Sequence, residues 1–152
     1  ACSAKQLAVG STRGFVLVFD TNHALRAILP PPDDAGACVS FCFSHDGSAL
    51  LVGHKNGRVA LWDLTSAQLL QVVDGAHSPG NAVVAVAFWN VGRHLAISAD
   101  ASGKTFLLTF TSNLLGLTRC EPRLLLDEAN SSVNLGIILR IAPLPAPATC
   151  PG

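Results

Sequence analysis

The sequence predicts an all-β protein made of repeated units of short antiparallel strands. Two observations support this prediction: the chain resembles itself at an interval of 43 to 46 residues, and glycine-containing turns separate its short apolar runs. Helical periodicity is poorly supported, because the apolar runs are too short for helices. With 152 residues, of which 49% are hydrophobic, the chain is large enough to bury a core.

The first two copies of the unit are "LAVGSTRGFVLVFD" at 7–20 and "LLVGHKNGRVALWD" at 50–63. The positions that match at an offset of 43 are Leu7 with Leu50, Val9 with Val52, Gly10 with Gly53, Gly14 with Gly57, Phe19 with Trp62 and Asp20 with Asp63. Repeats of this length are typical of solenoids and propellers.

A third copy follows when 40–53 is laid over 85–98. The matches at an offset of 45 are Phe43 with Phe88, Gly47 with Gly92, Leu50 with Leu95 and Val52 with Ile97. Gly57 matches Gly103 at an offset of 46, so we expect one extra residue in the loop after the second strand of the third copy.

Each copy reads as a chain of four strands. In the middle copy we predict strands at 39–43, 50–53, 58–64 and 69–73, and the third copy opens with strands at 84–88 and 95–98. Turn residues such as those of His45-Asp46-Gly47 and Lys55-Asn56-Gly57 separate them. Four strands, the third ending in Trp62-Asp63, indicate a WD40-type β-propeller blade.

The predicted fold is therefore a partial WD40-type β-propeller of about two and a half to three four-stranded antiparallel blades. The blades cover about 1–35, 36–80 and 81–142, and the first lacks its opening strand. The proline-rich stretch 143–152 is predicted to be a linker or tail, because proline cannot donate to a strand ladder. A closed ring needs at least four blades, so we expect this chain alone to be incomplete.

The tripeptide Gly103-Lys104-Thr105 matches the end of a phosphate-binding loop. That motif also requires a glycine at position 98, where this chain has Ser98, and a helix after the threonine. The residues that follow, 106–110, are strand-like instead. We predict a tight turn, and a nucleotide-using enzyme with Lys104 as phosphate ligand is the lesser alternative.

A second constellation, His77, Ser98 and Asp100, has the residue types of a hydrolase triad. No nucleophile-elbow motif surrounds the serine, whereas WD40 blades use the same three types in a hydrogen-bonded structural network. The tryptophan that completes that network would fall near Leu108, so a partial structural network is predicted. Gly57 and Gly103 are assigned to turns, and Trp62 and Asp63 to the blade framework.

The remaining candidates are weaker. Trp62 is predicted to pack between blades, and Trp89 is a weak candidate for a partner contact. The five cysteines show no paired spacing, so we expect neither disulfides nor a zinc site. The histidines His45, His54 and His94 are predicted to be solvated turn residues. No cofactor is expected, and a net charge of zero gives no reason to expect nucleic acid.

Four segments resemble the vacuolar protein sorting-associated protein 8 family, a subunit of the CORVET endosomal tethering complex. They are "WDL" at 62–64, "DGAHSPGNAVVAVAF" at 74–88, "SGKTFLLTF" at 102–110 and "TRCEPRLLLD" at 118–127, with the Arg-Cys-Glu block expected to follow the third blade. The resemblance implies a propeller in a cytoplasmic trafficking protein, peripheral on the endosome membrane only through its parent complex. It also implies tethering subunits and a Rab-type GTPase as partners.

The sequence thus predicts a non-catalytic interaction scaffold rather than an enzyme. The alternative is a generic WD40 adaptor in another pathway, such as ubiquitin ligation.

Overall fold

The computed structural model describes residues 5–89 and 94–127, and none of these residues lies in a helix. The described part of the chain forms eleven strands. They are β1 (Gln6–Gly10), β2 (Val16–Asp20), β3 (Leu25–Leu29), β4 (Cys38–Phe43), β5 (Ala49–His54), β6 (Val59–Asp63), β7 (Gln68–Val73), β8 (Val83–Phe88), β9 (Leu95–Asp100), β10 (Thr105–Ser112) and β11 (Thr118–Leu126). Each strand that was predicted from the sequence overlaps one of these observed strands.

The strands form three antiparallel sheets in chain order: β1-β2-β3, β4-β5-β6-β7 and β8-β9-β10-β11. We call these sheets blades 1, 2 and 3. The predicted all-β fold is confirmed, and in the described residues blade 1 has three strands. The predicted tail, 143–152, lies outside the described residues, so the domain boundaries remain a prediction.

Strand alternation places the hydrophobic core between blades rather than within one. One face of blade 2 contributes Leu50, Val52 and Trp62 to a cluster with Val16 and Val18 of blade 1. The other face forms a second cluster with blade 3, whose members include Leu51, Val59, Leu61, Val86, Leu108 and Phe110. Since successive side chains point to opposite faces of a strand, the even and odd positions of β5 and β6 serve different cores. Blade 2 is therefore covered on both faces.

The structure corrects the predicted alignment of the third copy. Phe43 pairs with Leu50 in blade 2, whereas the matching residue of blade 3, Phe88, pairs with Ala96. Leu50 therefore corresponds to Ala96 and not to Leu95, and the extra residue lies before β9 rather than after it. Leu50 and Leu95 are the same residue type, and this favoured the wrong alignment. The difference matters because a slip by one residue reverses the face of every side chain.

Close backbone approaches join neighbouring blades at the hairpin glycines. Gly57 has φ +85°, and a Cβ there would lie 2.7 Å from the Ser78 carbonyl oxygen in the loop leading to blade 3. Gly14, its counterpart in blade 1, has the same φ, and its Cβ would lie 2.5 Å from the Gly36 carbonyl oxygen. Both positions need glycine for its backbone angle and for its lack of a side chain. The repeated glycine therefore fixes how closely each blade meets the next.

Blade 3 departs from the other two in its outer hairpin. β6 and β2 end at Asp63 and Asp20, but β10 continues to Ser112 and β11 has nine residues. The Arg-Cys-Glu block at 119–121 lies in β11, so the expectation that it follows the third blade was wrong. No helix among the described residues is long and apolar enough to cross a membrane.

Candidate functional site

His77, Ser98 and Asp100 lie together in the interior, as their residue types predict. His77 comes from the loop before β8, and the other two lie on β9. The His77 Nδ1 is 2.9 Å from Asp100 Oδ2, and its Nε2 is 2.8 Å from Ser98 Oγ. The His77 imidazole thus links the loop before β8 to β9, the second strand of blade 3.

The chemistry of the partners fixes the tautomer of His77. A carboxylate only accepts hydrogen bonds, so Nδ1 carries the proton and donates to Asp100, and Nε2 accepts from the Ser98 hydroxyl. Burial lowers the pKa of His77, while Asp100 acts in the opposite direction. The imidazole is therefore neutral at pH 7 with both ring nitrogens hydrogen-bonded.

Asp100 is the most heavily hydrogen-bonded member of the network. Its Oδ1 accepts from the Ser102 backbone N–H at 2.9 Å, the Ser102 hydroxyl at 2.7 Å and the Lys104 backbone N–H at 3.1 Å. Burial opposes ionisation, but these bonds and the one from His77 hold the Asp100 pKa below its ordinary value. The charged carboxylate therefore ties the β9–β10 turn to the loop that carries His77.

Access distinguishes this network from a hydrolase triad. Ser98 and Asp100 are 0% exposed and His77 is 3% exposed, so no substrate reaches the serine in this conformation. In addition, the Ser98 hydroxyl donates to Nε2 inside the packed core. The arrangement can hold the blade together, and we propose that this is its role.

The tryptophan expected to complete the network is absent from blade 3. In the observed pairing Leu108 corresponds to Trp62, and Leu108 is fully buried. The ring of Phe106, two residues earlier on the same strand face, meets the His77 ring edge-on at a centroid distance of 4.9 Å. An aromatic contact is therefore retained, but from the neighbouring position on the strand.

Blade 2 has the tryptophan of this network but lacks its serine and aspartate. It has Trp62, which is 3% exposed in the cluster shared with blade 1, but Val52 and His54 occupy the positions of Ser98 and Asp100. The prediction that His54 is a solvated turn residue was wrong, because it ends β5 and is 1% exposed. Its Nδ1 lies 3.2 Å from the Gly36 carbonyl oxygen, and Nε2 has no hydrogen-bond partner.

The Gly103-Lys104-Thr105 segment is a turn between β9 and β10. Gly103 has φ +82°, its N–H donates to the Asp100 carbonyl at 3.1 Å, and Thr105 begins a strand. The Lys104 ammonium lies 3.9 Å from the Asp127 carboxylate. The helix that a phosphate-binding loop requires after the threonine is not formed, so this segment is not such a loop.

The other predicted framework residues lie at separate places. Asp63 closes the β6–β7 turn, where Oδ1 accepts from the Thr65 backbone N–H at 2.7 Å and the Thr65 hydroxyl at 2.6 Å. Trp89, directly after β8, is 58% exposed. His45 and His94 are exposed, in agreement with their predicted place in turns.

No metal site is apparent in the parts of the chain that the structure covers. Residues 5–89 and 94–127 contain no group of three or more His, Cys, Asp or Glu side chains that could hold an ion. Cys38, Cys42 and Cys120 are free thiols, each partly buried. Burial raises the pKa of all three thiols, that of Cys120 to about 12, so they are poor nucleophiles at pH 7.

One exposed apolar surface was not predicted from the sequence. The β10–β11 turn exposes Leu114, Leu115 and Leu117, of which Leu114 is 107% exposed. The available signal was Asn113 and Gly116, which are turn residues within an apolar run.

The sheets and the buried network define a β-propeller protein of the WD40 type. Solved structures agree: the β-propeller domain of Cps50 (Swd1) from Myceliophteria thermophila is 20% identical, with a TM-score of 0.65 over 80% of this chain and 36% of that one. A chain of the Mitotic Checkpoint Complex is 30% identical, with a TM-score of 0.56 over 68% of this chain and 29% of that one.

The sequence matches the Vps8 beta-propeller family over residues 1–151, and the chain belongs to that family. Vacuolar protein sorting-associated protein 8 homolog of Mus musculus is 36% identical over 84% of this chain, and the Homo sapiens homolog is also 36% identical over 84%. The Drosophila melanogaster homolog is 32% identical over the same share. The chain spans 9–10% of the length of these relatives. The predicted family resemblance is confirmed.

Proposed function

We propose that this propeller segment is a non-catalytic protein-interaction scaffold in vacuolar protein sorting, within an endosomal vesicle-tethering complex of the CORVET kind. The observation that carries the proposal is membership of the Vps8 beta-propeller family across residues 1–151. Relatives that match 84% of the chain bear the name vacuolar protein sorting-associated protein 8 homolog.

We propose that the segment is non-catalytic because neither of the two groups of residues that resemble an active site is arranged for catalysis. Ser98 is 0% exposed and bonded to a buried imidazole, and Lys104 lies in a strand-to-strand turn beside Asp127. A nucleophile has to reach its substrate, and a phosphate ligand needs a cradle of backbone N–H groups. Neither condition is supported by this geometry, which favours a scaffold.

We further propose that the protein acts on the cytoplasmic side of the endosome and binds tethering subunits and a Rab-type GTPase. Trp89 is a candidate contact, because a tryptophan that is 58% exposed offers a large apolar surface with one hydrogen-bond donor.

The test is affinity purification of the full-length protein from cells, followed by identification of the proteins that copurify. We expect tethering subunits, and a Rab-type GTPase that is enriched in the GTP-bound state. The Trp89→Ala variant should lose one of these partners, whereas Ile28→Ala, which removes a side chain of similar exposure (55%) on β3, should keep them. Recovery of ubiquitin-ligase subunits in place of tethering subunits would favour a general WD40 adaptor and count against the proposal.

The non-catalytic part of the proposal has its own measurement. A fluorophosphonate probe, which labels activated serines that it can reach, should leave Ser98 unmodified in the folded protein. Millimolar ATP or GTP should leave the melting temperature unchanged, because a ligand that binds the folded state raises it. Labelling of Ser98, or a nucleotide-dependent shift that Lys104→Ala abolishes, would show that this part is wrong.

A further inference from the structure

The outer hairpin of blade 3 ends in an apolar turn, residues 113–117, which we call the leucine tip. Leu114 is 107% exposed, Leu115 is 85% exposed and Leu117 is 62% exposed. These are the three most exposed large hydrophobic side chains among the described residues. Exposed apolar patches of this kind mark interaction sites on protein surfaces.

The leucine tip is ordered by its own hydrogen bonds. Asn113 Oδ1 accepts from the backbone N–H groups of Leu115 at 3.0 Å and Leu117 at 2.9 Å. The Asn113 carbonyl accepts from Gly116 N–H at 3.0 Å, and the Asn113 N–H donates to the Leu117 carbonyl at 3.0 Å. Four of the five backbone N–H groups of the tip therefore have partners within the turn. This arrangement suits a medium without water, where an unpaired backbone group is costly.

The tip and the strand that leads to it are uncharged, whereas β11 carries Arg119, Glu121 and Arg123. Residues 105–118 contain no Asp, Glu, Lys or Arg, and Arg119 is the first charged residue after the tip. β10 also continues three residues beyond Thr109, the counterpart of Asp63, before it reaches Asn113. At the rise of an antiparallel strand this extension corresponds to roughly 10 Å. The tip therefore projects beyond the length of the other blades' hairpins without carrying charge.

Trp89 lies at the same end of blade 3 as the leucine tip. Its N–H donates to the Leu95 carbonyl at 2.9 Å, and Phe110 N–H donates to the His94 carbonyl at 2.7 Å, which places the start of β9 beside the base of the extension. An exposed tryptophan and an arginine behind an apolar tip are the residue types found at membrane–water interfaces.

We propose that the leucine tip inserts into the boundary between headgroups and acyl chains of a lipid bilayer. A turn with one completely exposed leucine and two largely exposed ones is convex, and the bilayer needs no matching concave surface. A stable protein partner requires a buried area of roughly 1,000 Å² or more, which a five-residue turn does not supply alone. The uncharged tip favours apolar insertion over electrostatic attraction to anionic lipid.

This contact would add to recruitment by protein partners. It departs from the expectation that membrane association occurs only through the parent complex. A net charge of zero is no argument against it, since the proposed interaction uses leucines and not basic residues.

The test is flotation of the full-length protein with protein-free vesicles of phosphatidylcholine and phosphatidylethanolamine, which carry no net charge. The variant Leu114→Ser/Leu115→Ser should reduce vesicle binding on the order of 100-fold, because binding scales with the apolar area that is buried. The matched control is Leu124→Ser/Leu125→Ser, at the opposite end of the same hairpin, where the leucines are 49% and 44% exposed. This control should bind as the unmodified protein does.

A melting curve of each variant separates a loss of binding from a loss of folding, and a third variant, Leu115→Trp, should retain or increase binding. Binding to uncharged vesicles that persists in 0.5 M salt and depends on the tip supports the proposal. The proposal would be overturned by no binding by the folded protein, by equal loss in the control, or by binding only to anionic vesicles that salt abolishes. Loss of a copurifying protein by the serine variant, without any change in vesicle binding, would instead assign the tip to a protein contact and also overturn it.

Discussion

Replacing Asp100 with alanine tests whether the buried network holds blade 3 together. The carboxylate accepts four hydrogen bonds, from Ser102 N–H, Ser102 hydroxyl, Lys104 N–H and His77 Nδ1. Its removal leaves the His77 Nδ1–H buried without an acceptor and releases the β9–β10 turn. One unsatisfied buried donor costs about 1–3 kcal/mol and the three other lost bonds contribute about 1 kcal/mol each, so we expect a loss of about 4–6 kcal/mol.

The control is Asp63→Ala, at the end of the third strand of blade 2. Its carboxylate also organises a turn, but its Thr65 partners are exposed and water can replace it there, so the expected cost is about 1 kcal/mol. The free energy of unfolding of both variants is measured by urea denaturation, with the unchanged protein alongside. If Asp100→Ala cost no more than Asp63→Ala, the network would not be the structural lock that we infer.

Three further predictions concern packing, pH and association. Gly57→Ala should lower the free energy of unfolding by about 3 kcal/mol, because φ is +85° and a carbonyl oxygen lies 2.7 Å from the added Cβ. The control Gly75→Ala, with φ +81° and nothing within 4 Å of the added Cβ, should lower it by about 1 kcal/mol. Thermal or urea unfolding measures both. Burial lowers the pKa of His54 and His77, so the unfolded chain binds more protons below about pH 6.5, and stability should fall between pH 6.5 and 5. The folded His54→Asn variant should reduce that slope, and the exposed control His45→Asn should not. The isolated 152-residue chain should be oligomeric or poorly soluble in sedimentation, because the edge strands of its outer sheets have no further partner strand among the described residues.

Each of these has an outcome that contradicts its reasoning. Equal losses of stability in Gly57→Ala and Gly75→Ala would show that the backbone around Gly57 can move to accommodate the added Cβ. A flat stability profile between pH 6.5 and 5 would mean that the buried imidazoles bind protons as readily as in the unfolded chain. A monodisperse monomer that melts cooperatively would show that the open edges are protected.

The repeat made most of the fold predictable. Turn residues such as those at 55–57 occur at fixed offsets, and Trp62-Asp63 marks the end of a third strand, so local chemistry and periodicity gave the same strands. The buried network was also accessible, since His77, Ser98 and Asp100 have types that a blade uses in known positions. These features depend on local sequence, which a single chain displays.

Features that depend on tertiary contacts were missed. Leu95 resembles Leu50, and only the pairing of Phe88 with Ala96 reveals the one-residue shift. The burial of His54 involves the loop between β3 and β4, which supplies the Gly36 carbonyl beside it. The exposure of Leu114 could not be read from composition, because an apolar run by itself indicates burial.

The sharing of cores between sheets governs how the molecule can open. Leu51 and Leu61 belong to one cluster and Leu50 and Trp62 to the other, although they lie on the same two strands. No blade can therefore detach without exposing the apolar face of a neighbouring blade to water. The faces of the middle sheet become exposed only after an outer sheet has detached. Amide hydrogen exchange should accordingly be slowest in β5 and β6 and should quicken toward both outer sheets.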